Sequence, residues 1–353
     1  MPAPVNAQDF LEIARRSNQI DAALLEKYSG GPESGRDSSS PQLLASSMVR
    51  DGVLTLFQAE QFLLGKYKGF ELGGYQILDR LGQGGTGVVY LARHEIMDRL
   101  AAIKVLPSSL ADNSRYRALF QHEARAAATL HHPNVIQIHD FRKEGPLAYL
   151  IMEYIDGPNL QQILDQHGPL SIPQACEYAR QAALGLHHAH EGGLIHRDVK
   201  PANLLVNPDG QVKVLDLGLA LFRSGNNLAG FNPENSQMIL GTADYLAPEQ
   251  ALNQNQVDAR TDVYSLGATL HAMLCGKPPF HQGTIAQKLM WHQTKEPPAV
   301  HDIRKDVPAM LSALVRSMLE KSPQKRPTSA QEVALVLAGW ATKEPRPSVP
   351  YPG

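Results

Sequence analysis

The side chains of this 353-residue chain that could do chemistry gather in one stretch, Gly192 to Ala220. It carries Asp198, Lys200, Asn203 and Asp216. Two short apolar runs, Leu204–Val206 and Val212–Leu215, flank a turn of Pro208, Asp209 and Gly210. That pattern predicts a β-hairpin. Closing a hairpin brings its outer ends together, so the four polar residues should converge on one point. Two carboxylates, an amide and an ammonium in one place suit a divalent cation, a polyphosphate and a proton acceptor.

A second stretch could meet phosphate through its backbone. Tyr75–Leu81 reads as a strand, followed by Gly82, Gln83, Gly84, Gly85, Thr86 and Gly87. Glycines in this spacing also open dinucleotide-binding folds, but there a helix follows. Here Val88–Ala92 is β-branched and aromatic, so a strand follows. A glycine-rich turn between two strands lets backbone N–H groups approach phosphate oxygens without side chains in the way.

These residues carry a family resemblance. His196, Arg197, Asp198, Lys200 and Asn203 match H-R-D-x-K-x-x-N, Asp216-Leu217-Gly218 matches D-x-G, and Ala247-Pro248-Glu249 matches A-P-E. Over residues 75–341 the chain resembles bacterial, Hanks-type serine/threonine protein kinases. The resemblance implies an α+β, two-lobed protein kinase fold. Its small lobe would hold antiparallel strands plus one helix, its large lobe would be mainly helical, and a short helical leader would precede both. It also implies transfer of the γ-phosphate of ATP to a Ser/Thr hydroxyl of a protein substrate, with autophosphorylation.

Roles follow residue by residue from the resemblance. Asp198 would orient the acceptor hydroxyl and take its proton, and Lys200 would neutralise charge on the moving phosphoryl. Asn203 and Asp216 would hold Mg²⁺. Leu81 and the glycine-rich turn through Gly87 would cover the phosphates. Lys104, in Ala101–Leu106, matches the phosphate-binding lysine. Phe120, Glu123, Ala127 and Leu130 recur on one helical face, where a carboxylate is costly unless paired. Lys104 is the obvious partner of Glu123. Val89, Ala102 and Leu205 would sandwich the adenine, with Met152 behind it. The backbone of Glu153 and Ile155 would bond the adenine edge, and Asn159 would reach the ribose. Thr86 and Leu217 depart from the aromatic or methionine and the phenylalanine common at their positions. Arg197 implies regulation by a phosphate in the Leu219–Glu249 segment, with Ser236 as the candidate.

The rest of the chain is read around this centre. Residues 1–28 carry a helical pattern, 29–41 a Gly/Ser-rich linker, and 42–74 a second helical part of the leader. In that part Thr55 and Gln58 make a capping-box signal. The kinase domain is expected over 75–341, with the small lobe at 75–155 and the large lobe at 156–341. A Pro-rich tail follows at 342–353. The leader's pattern leaves three roles open: docking on the kinase, binding a partner, or neither. Val135–Ile138 is expected to begin a strand. Arg326 should pair with Glu249, and Asp262 should accept hydrogen bonds from the catalytic-loop backbone.

Composition narrows the partners. A net charge of −2 argues against nucleic-acid binding and polybasic membrane attachment. Two widely separated cysteines, Cys176 and Cys275, fit a reducing cytoplasm better than a disulfide framework. The N-terminus lacks a signal-peptide pattern, and the most apolar run, Val263–Cys275, is too short to span a bilayer. His187, His188 and His190 have poor spacing for zinc. Dimerisation through the small lobe is an expectation by analogy. Two rival readings are a pseudokinase scaffold that binds nucleotide without transfer and a small-molecule kinase of related fold.

Overall fold

The computed structural model describes residues 1–29, 40–84, 87–107, 121, 123–217, 243–252 and 257–341. By internal contacts the chain forms two units: Met1–Asp112 with Asp140–Tyr154, and Asn113–His139 with Ile155–Gly353.

The first unit begins with the leader. Helix α1 (Ala7–Ser17) starts at Asn6, whose side chain accepts from the Asp9 N–H. It stops at Asn18, where φ is 55°, a left-handed conformation that asparagine tolerates better than most residues. The helical pattern over 1–28 is therefore split, and α2 (Ala22–Ser29) follows as a separate helix. Helix α3 (Pro41–Arg50) has proline in its first turn, where a missing N–H costs nothing. Helix α4 (Leu56–Leu63) opens on the expected capping box of Thr55 and Gln58. Phe10, Ile13, Leu25, Met48 and Phe62 are fully buried and form one apolar core. Within it Phe62 meets Phe10 and Phe70 edge to face, at 6.1 and 5.0 Å between ring centres.

The leader runs directly into a sheet. Strand β1 (Glu71–Leu72) is a short strand inside the stretch read as helical leader. Strands β2 (Tyr75–Gly84), β3 (Gly87–His94), β4 (Leu100–Val105), β5 (Ile138–Glu144) and β6 (Leu147–Glu153) complete six strands in the order β1-β2-β3-β4-β6-β5. Strand β5 starts at Ile138; Val135 instead makes one parallel bridge to Val214, which corrects the expected strand start. Tyr75, Ile77, Ala92, Ala101, Ile103, Tyr149 and Ile151 form one apolar cluster. Phe57 of α4 packs against it and lies 6.2 Å from the Tyr90 ring. The leader therefore docks on the sheet.

The second unit is mainly helical. Helices α5 (Leu160–His167) and α6 (Ile172–Glu191) precede a small hairpin of β7 (Leu204–Val206) and β8 (Val212–Val214). Helix α7 (Pro248–Leu252) leads to α8 (Ala259–Cys275), which is buried from Thr261 to Leu274. A helix apolar all round belongs in a core. Helices α9 (Ile285–Thr294), α10 (Val300–Ile303), α11 (Ala309–Met318) and α12 (Ala330–Leu337) complete it. Among the described residues no helix is long and apolar enough to cross a membrane.

Candidate active site

The predicted hairpin forms, with Leu204 opposite Val214 and Val206 opposite Val212. Its outer ends meet as the sequence requires. The Leu215 N–H donates to the Asn203 carbonyl at 2.9 Å, which places Asp216 beside the loop carrying Asp198. The hairpin is braced by a residue that sequence reasoning missed. Gln181 on α6 accepts from the Val212 N–H and donates to the Gly210 carbonyl. It also accepts from Asn134, whose amide donates to the Val212 carbonyl as well. No local pattern marks Gln181, because its partners lie far away in the chain.

Both oxygens of Asp198 are held. Lys200 Nζ lies 3.0 Å from Oδ1, and Asn203 Nδ2 donates to Oδ2 at 3.0 Å. Asn203 Nδ2 also donates to the Asp198 carbonyl at 2.7 Å. With its NH₂ committed, the Asn203 amide turns its oxygen the other way, as an acceptor. Asn203 Oδ1 and the Asp216 carboxylate offer oxygen only, the donor type that a hard divalent cation such as Mg²⁺ takes.

The backbone here is strained and must be held. Arg197 and Asp216 have φ of 66° and 57°. Left-handed backbone at a non-glycine residue costs roughly 1–2 kcal/mol. Asp262, fully buried on α8, supplies the restraint. Its Oδ2 accepts from the His196 N–H and its Oδ1 from the Arg197 N–H, both at 2.8 Å. His190 Nε2 lies 2.7 Å from Oδ2. Burial opposes ionisation of Asp262, but His190, the nearby His196 and the backbone N–H outweigh it and hold the carboxyl below its ordinary range. On the far side Gln250 Nε2 donates to the Arg197 carbonyl at 2.8 Å. His196 spans the loop: Nε2 donates to the Leu215 carbonyl at 2.7 Å, and Nδ1 accepts from the Asp198 N–H. Thus His190 is committed to Asp262, while His188 stacks on His132 at 5.2 Å.

A buried ion pair anchors the segment that closes this region. Arg326 donates to both oxygens of Glu249, at 2.7 and 2.8 Å, and Thr261 donates to the same carboxylate. Burial would raise the Glu249 pKa, yet Arg326 and Thr261 hold it below the ordinary value. Arg326 also spends donors on the carbonyls of Glu320, Arg260 and Lys321, so its charge is fully solvated by protein.

In the first unit the predicted nucleotide residues line one side of the sheet. Strand register sets Val89 opposite Lys104, Leu91 opposite Ala102, and Ala102 opposite Met152. Directly opposite residues share a face. Val89, Ala102, Lys104 and Met152 therefore lie on the face away from Phe57. Lys104 is buried. Gly82, Gln83 and Gly84 pair with Val89, Val88 and Gly87. Gly87 has φ of 129°, and a Cβ there would stand 2.0 Å from the Val105 carbonyl, so only glycine fits. Glu153 pairs with Ala101 at the end of β6.

The remaining predicted residues sit in the second unit. Glu123 is buried in a helix described over residues 123–128, and Leu205 bridges to Asn159. Asn159 caps α5: its Oδ1 accepts from the Gln162 N–H, so that oxygen is already used within the protein. Ile155 begins the connection to Gly157, whose φ is 154° and where a Cβ would stand 2.0 Å from the Val206 carbonyl, so again only glycine fits. Gly85, Thr86, Phe120, Gly218 and the Ser236 candidate lie outside the described residues.

A six-stranded sheet unit followed by a mainly helical unit is the architecture of a two-lobed kinase-like fold. Comparison with known proteins agrees: the family model described as protein kinase domain matches residues 75–336. The chain belongs to the protein kinase family. It is 38% identical over 278 residues to the serine/threonine-protein kinase PknB of Mycobacterium tuberculosis, covering 77% of this chain and 43% of that one. To PknA of the same species it is 37% identical, covering 80% and 65%. The solved PknI kinase domain of M. tuberculosis matches with a TM-score of 0.61 at 28% identity, over 77% of this chain and 98% of that one. The chain thus spans less than half of the PknB length.

Proposed function

We propose that this chain transfers the γ-phosphoryl group of ATP to a serine or threonine hydroxyl of a protein substrate. The observation that carries this reading is the joint placement of Asp198, Lys200 and Asn203 at the open end of the β7–β8 hairpin, next to Asp216. Phosphoryl transfer asks a protein mainly for positioning and charge neutralisation. Asp198 is oriented by Lys200 and Asn203, and a carboxylate oxygen accepts more than one hydrogen bond, so it would orient the acceptor hydroxyl and take its proton. The hydroxyl oxygen then bonds phosphorus as the bond to the departing ADP oxygen breaks. Lys200, 3.0 Å from Asp198, supplies positive charge for the moving group. Asn203 and Asp216 would hold Mg²⁺, which when bound neutralises the phosphate oxygens.

Nucleotide contacts are assigned to Leu81 through Gly87, Val89, Ala102, Lys104, Glu153, Ile155, Asn159 and Leu205. Glu123 is assigned to supporting Lys104. Asn159 would offer its Nδ2 to the ribose. The buried Arg197 Nε has no hydrogen-bond partner among the described residues, which favours regulation by a loop phosphate. We place the kinase domain at 75–341 and the protein in the cytoplasm.

Incubation with Mg-ATP and a generic basic protein, followed by mass spectrometry, tests the reading. Phosphoserine or phosphothreonine on either protein is expected. Nucleotide binding without transfer would instead establish the pseudokinase scaffold.

A further inference from the structure

Residues 1–74 lie outside the family match, so the leader's purpose is left open by it. The leader meets the sheet through side-chain hydrogen bonds: Gln76 Nε2 donates to the Gln19 carbonyl at 3.3 Å, and a denser set lies at α4. The Thr55 hydroxyl donates to the Leu78 carbonyl at 2.5 Å, and Gln58 Nε2 donates to the Ile77 carbonyl at 2.9 Å. Both side chains are also used within α4. Gln58 Oε1 accepts from the Thr55 N–H, and Thr55 Oγ1 accepts from the Gln58 N–H. The capping box is therefore doubled as a clamp on two consecutive carbonyls of β2.

The clamped point is irregular. Ile77 faces Ala92 and Asp79 faces Leu91, so Leu78 is an extra residue that bulges the β2–β3 ladder. A second slip follows between Arg80 and Gly82. Beyond Ile77, whose N–H goes to Phe70, β2 has no further partner strand on its outer side among the described residues. Leu78 and Gln58 are buried, so these carbonyls need donors from protein. A bulge re-aims the strand that follows it. Here that strand runs into the glycine-rich stretch beginning at Gly82. Gly82–Gly84 continue that strand, paired with Val89, Val88 and Gly87, and the glycines bring no side chains of their own to fix it.

We propose that Thr55 and Gln58 are positioning residues for nucleotide binding: they fix the bulge of β2 and so hold Gly82–Gly84, at the end of that strand, in place for phosphate. This rests on the kinase reading above. The clamp lies on β2, three residues before Leu81, and its hydrogen bonds go to β2 and α4. Its loss should therefore weaken nucleotide binding and leave peptide affinity alone.

The test uses the full chain. Gln58→Glu keeps the capping box, because a carboxylate still accepts from the Thr55 N–H, but sets an acceptor against the Ile77 carbonyl. Thr55→Val removes the other half of the clamp, and Thr55→Ser keeps it. Mg-ADP affinity is measured by calorimetry, KM and kcat for ATP by steady-state assay, and amide exchange over residues 79–90 by mass spectrometry. Gln58→Glu should raise the ADP Kd and the ATP KM about tenfold, with kcat and peptide KM within about twofold. It should also speed amide exchange in the nucleotide-free protein. Thr55→Val should lie between it and wild type, and it decides the matter alone should Gln58→Glu fail to fold. Thr55→Ser should match wild type. Wild-type ADP affinity and exchange in Thr55→Val and Gln58→Glu, with only a lower Tm, would overturn the inference while the kinase reading stands. A wild-type chain that neither binds ADP nor transfers phosphate would overturn both.

Discussion

In the catalytic hairpin, position is set by buried charge. Asp262 holds the strained backbone at His196 and Arg197, and Arg326 grips Glu249 in a site from which water is excluded. In the glycine-rich strand pair, position is set by neutral groups. There the ladder between β2 and β3 and the hydroxyl and amide of Thr55 and Gln58 do the holding. The difference matters because a buried carboxylate is rigid only while ionised and partnered. A carbonyl bonded by an amide is indifferent to pH. Acid should therefore loosen the catalytic hairpin's surroundings before it touches the glycine-rich turn.

The largest expected effect removes the charge at the centre of the hairpin. Asp198→Asn should lower kcat by roughly 10²–10⁴-fold with the fold intact, since it deletes the proposed proton acceptor and little volume. Near-normal turnover would end the assignment of Asp198. Next, Arg326→Met should strip Glu249 of its two strongest hydrogen bonds and cost about 3–5 kcal/mol in denaturant unfolding. A loss below about 1 kcal/mol would mean that buried charge is not what anchors this unit.

A smaller effect sharpens the pH side of the comparison. His292 on α9 is buried, its Nδ1 lying 2.7 Å from the Tyr264 hydroxyl. Burial, and then the charge of Lys321, push its pKa down to about 3. The unfolded chain takes up this proton near pH 6.5 and the folded one does not, so stability falls as pH drops from 6.5 towards 3. Asp262 and Glu249, held below their ordinary values, keep their contribution until lower pH, below about 4. His292→Gln should flatten the stability–pH slope between pH 6 and 5 by about 1.4 kcal/mol per pH unit. An unchanged slope in urea titrations would remove His292 from the account. The smallest effect is the control: Arg316→Ala breaks the exposed pair with Glu296 and should change stability by less than about 0.5 kcal/mol. It separates burial of charge from charge as such.

Much of the site could be read before folding because its information is local. The hairpin rests on apolar runs around Pro208-Asp209-Gly210, and the glycine turn on strands either side of it. The Thr55 capping box needs only a three-residue spacing. The pairings of Arg326 with Glu249 and of Asp262 with the His196 and Arg197 amides followed from the family pattern and are present. Other features escaped for stated physical reasons. The helical pattern over 1–28 hid the break at Asn18, because periodicity does not register one left-handed residue. Val135 looked like a strand residue but makes a single bridge to Val214, a choice made by a partner far along the chain. Gln181 and His190 lie on an amphipathic helix whose pattern gives no hint that their polar tips brace the catalytic loop.

From residue types and order alone followed the chemistry: oxygen ligands for a hard cation, a carboxylate to take a proton, and glycines where backbone must approach phosphate. Those properties belong to the side chains and to short-range turns, so they survive without knowledge of neighbours. Folding alone decided that the leader is part of the sheet's packing, and which amide donates to which carbonyl at the β2 bulge. Such contacts join residues about twenty positions apart, and several arrangements would satisfy the same apolar pattern. Only burial, which makes each unpaired donor and acceptor costly, selects one of them.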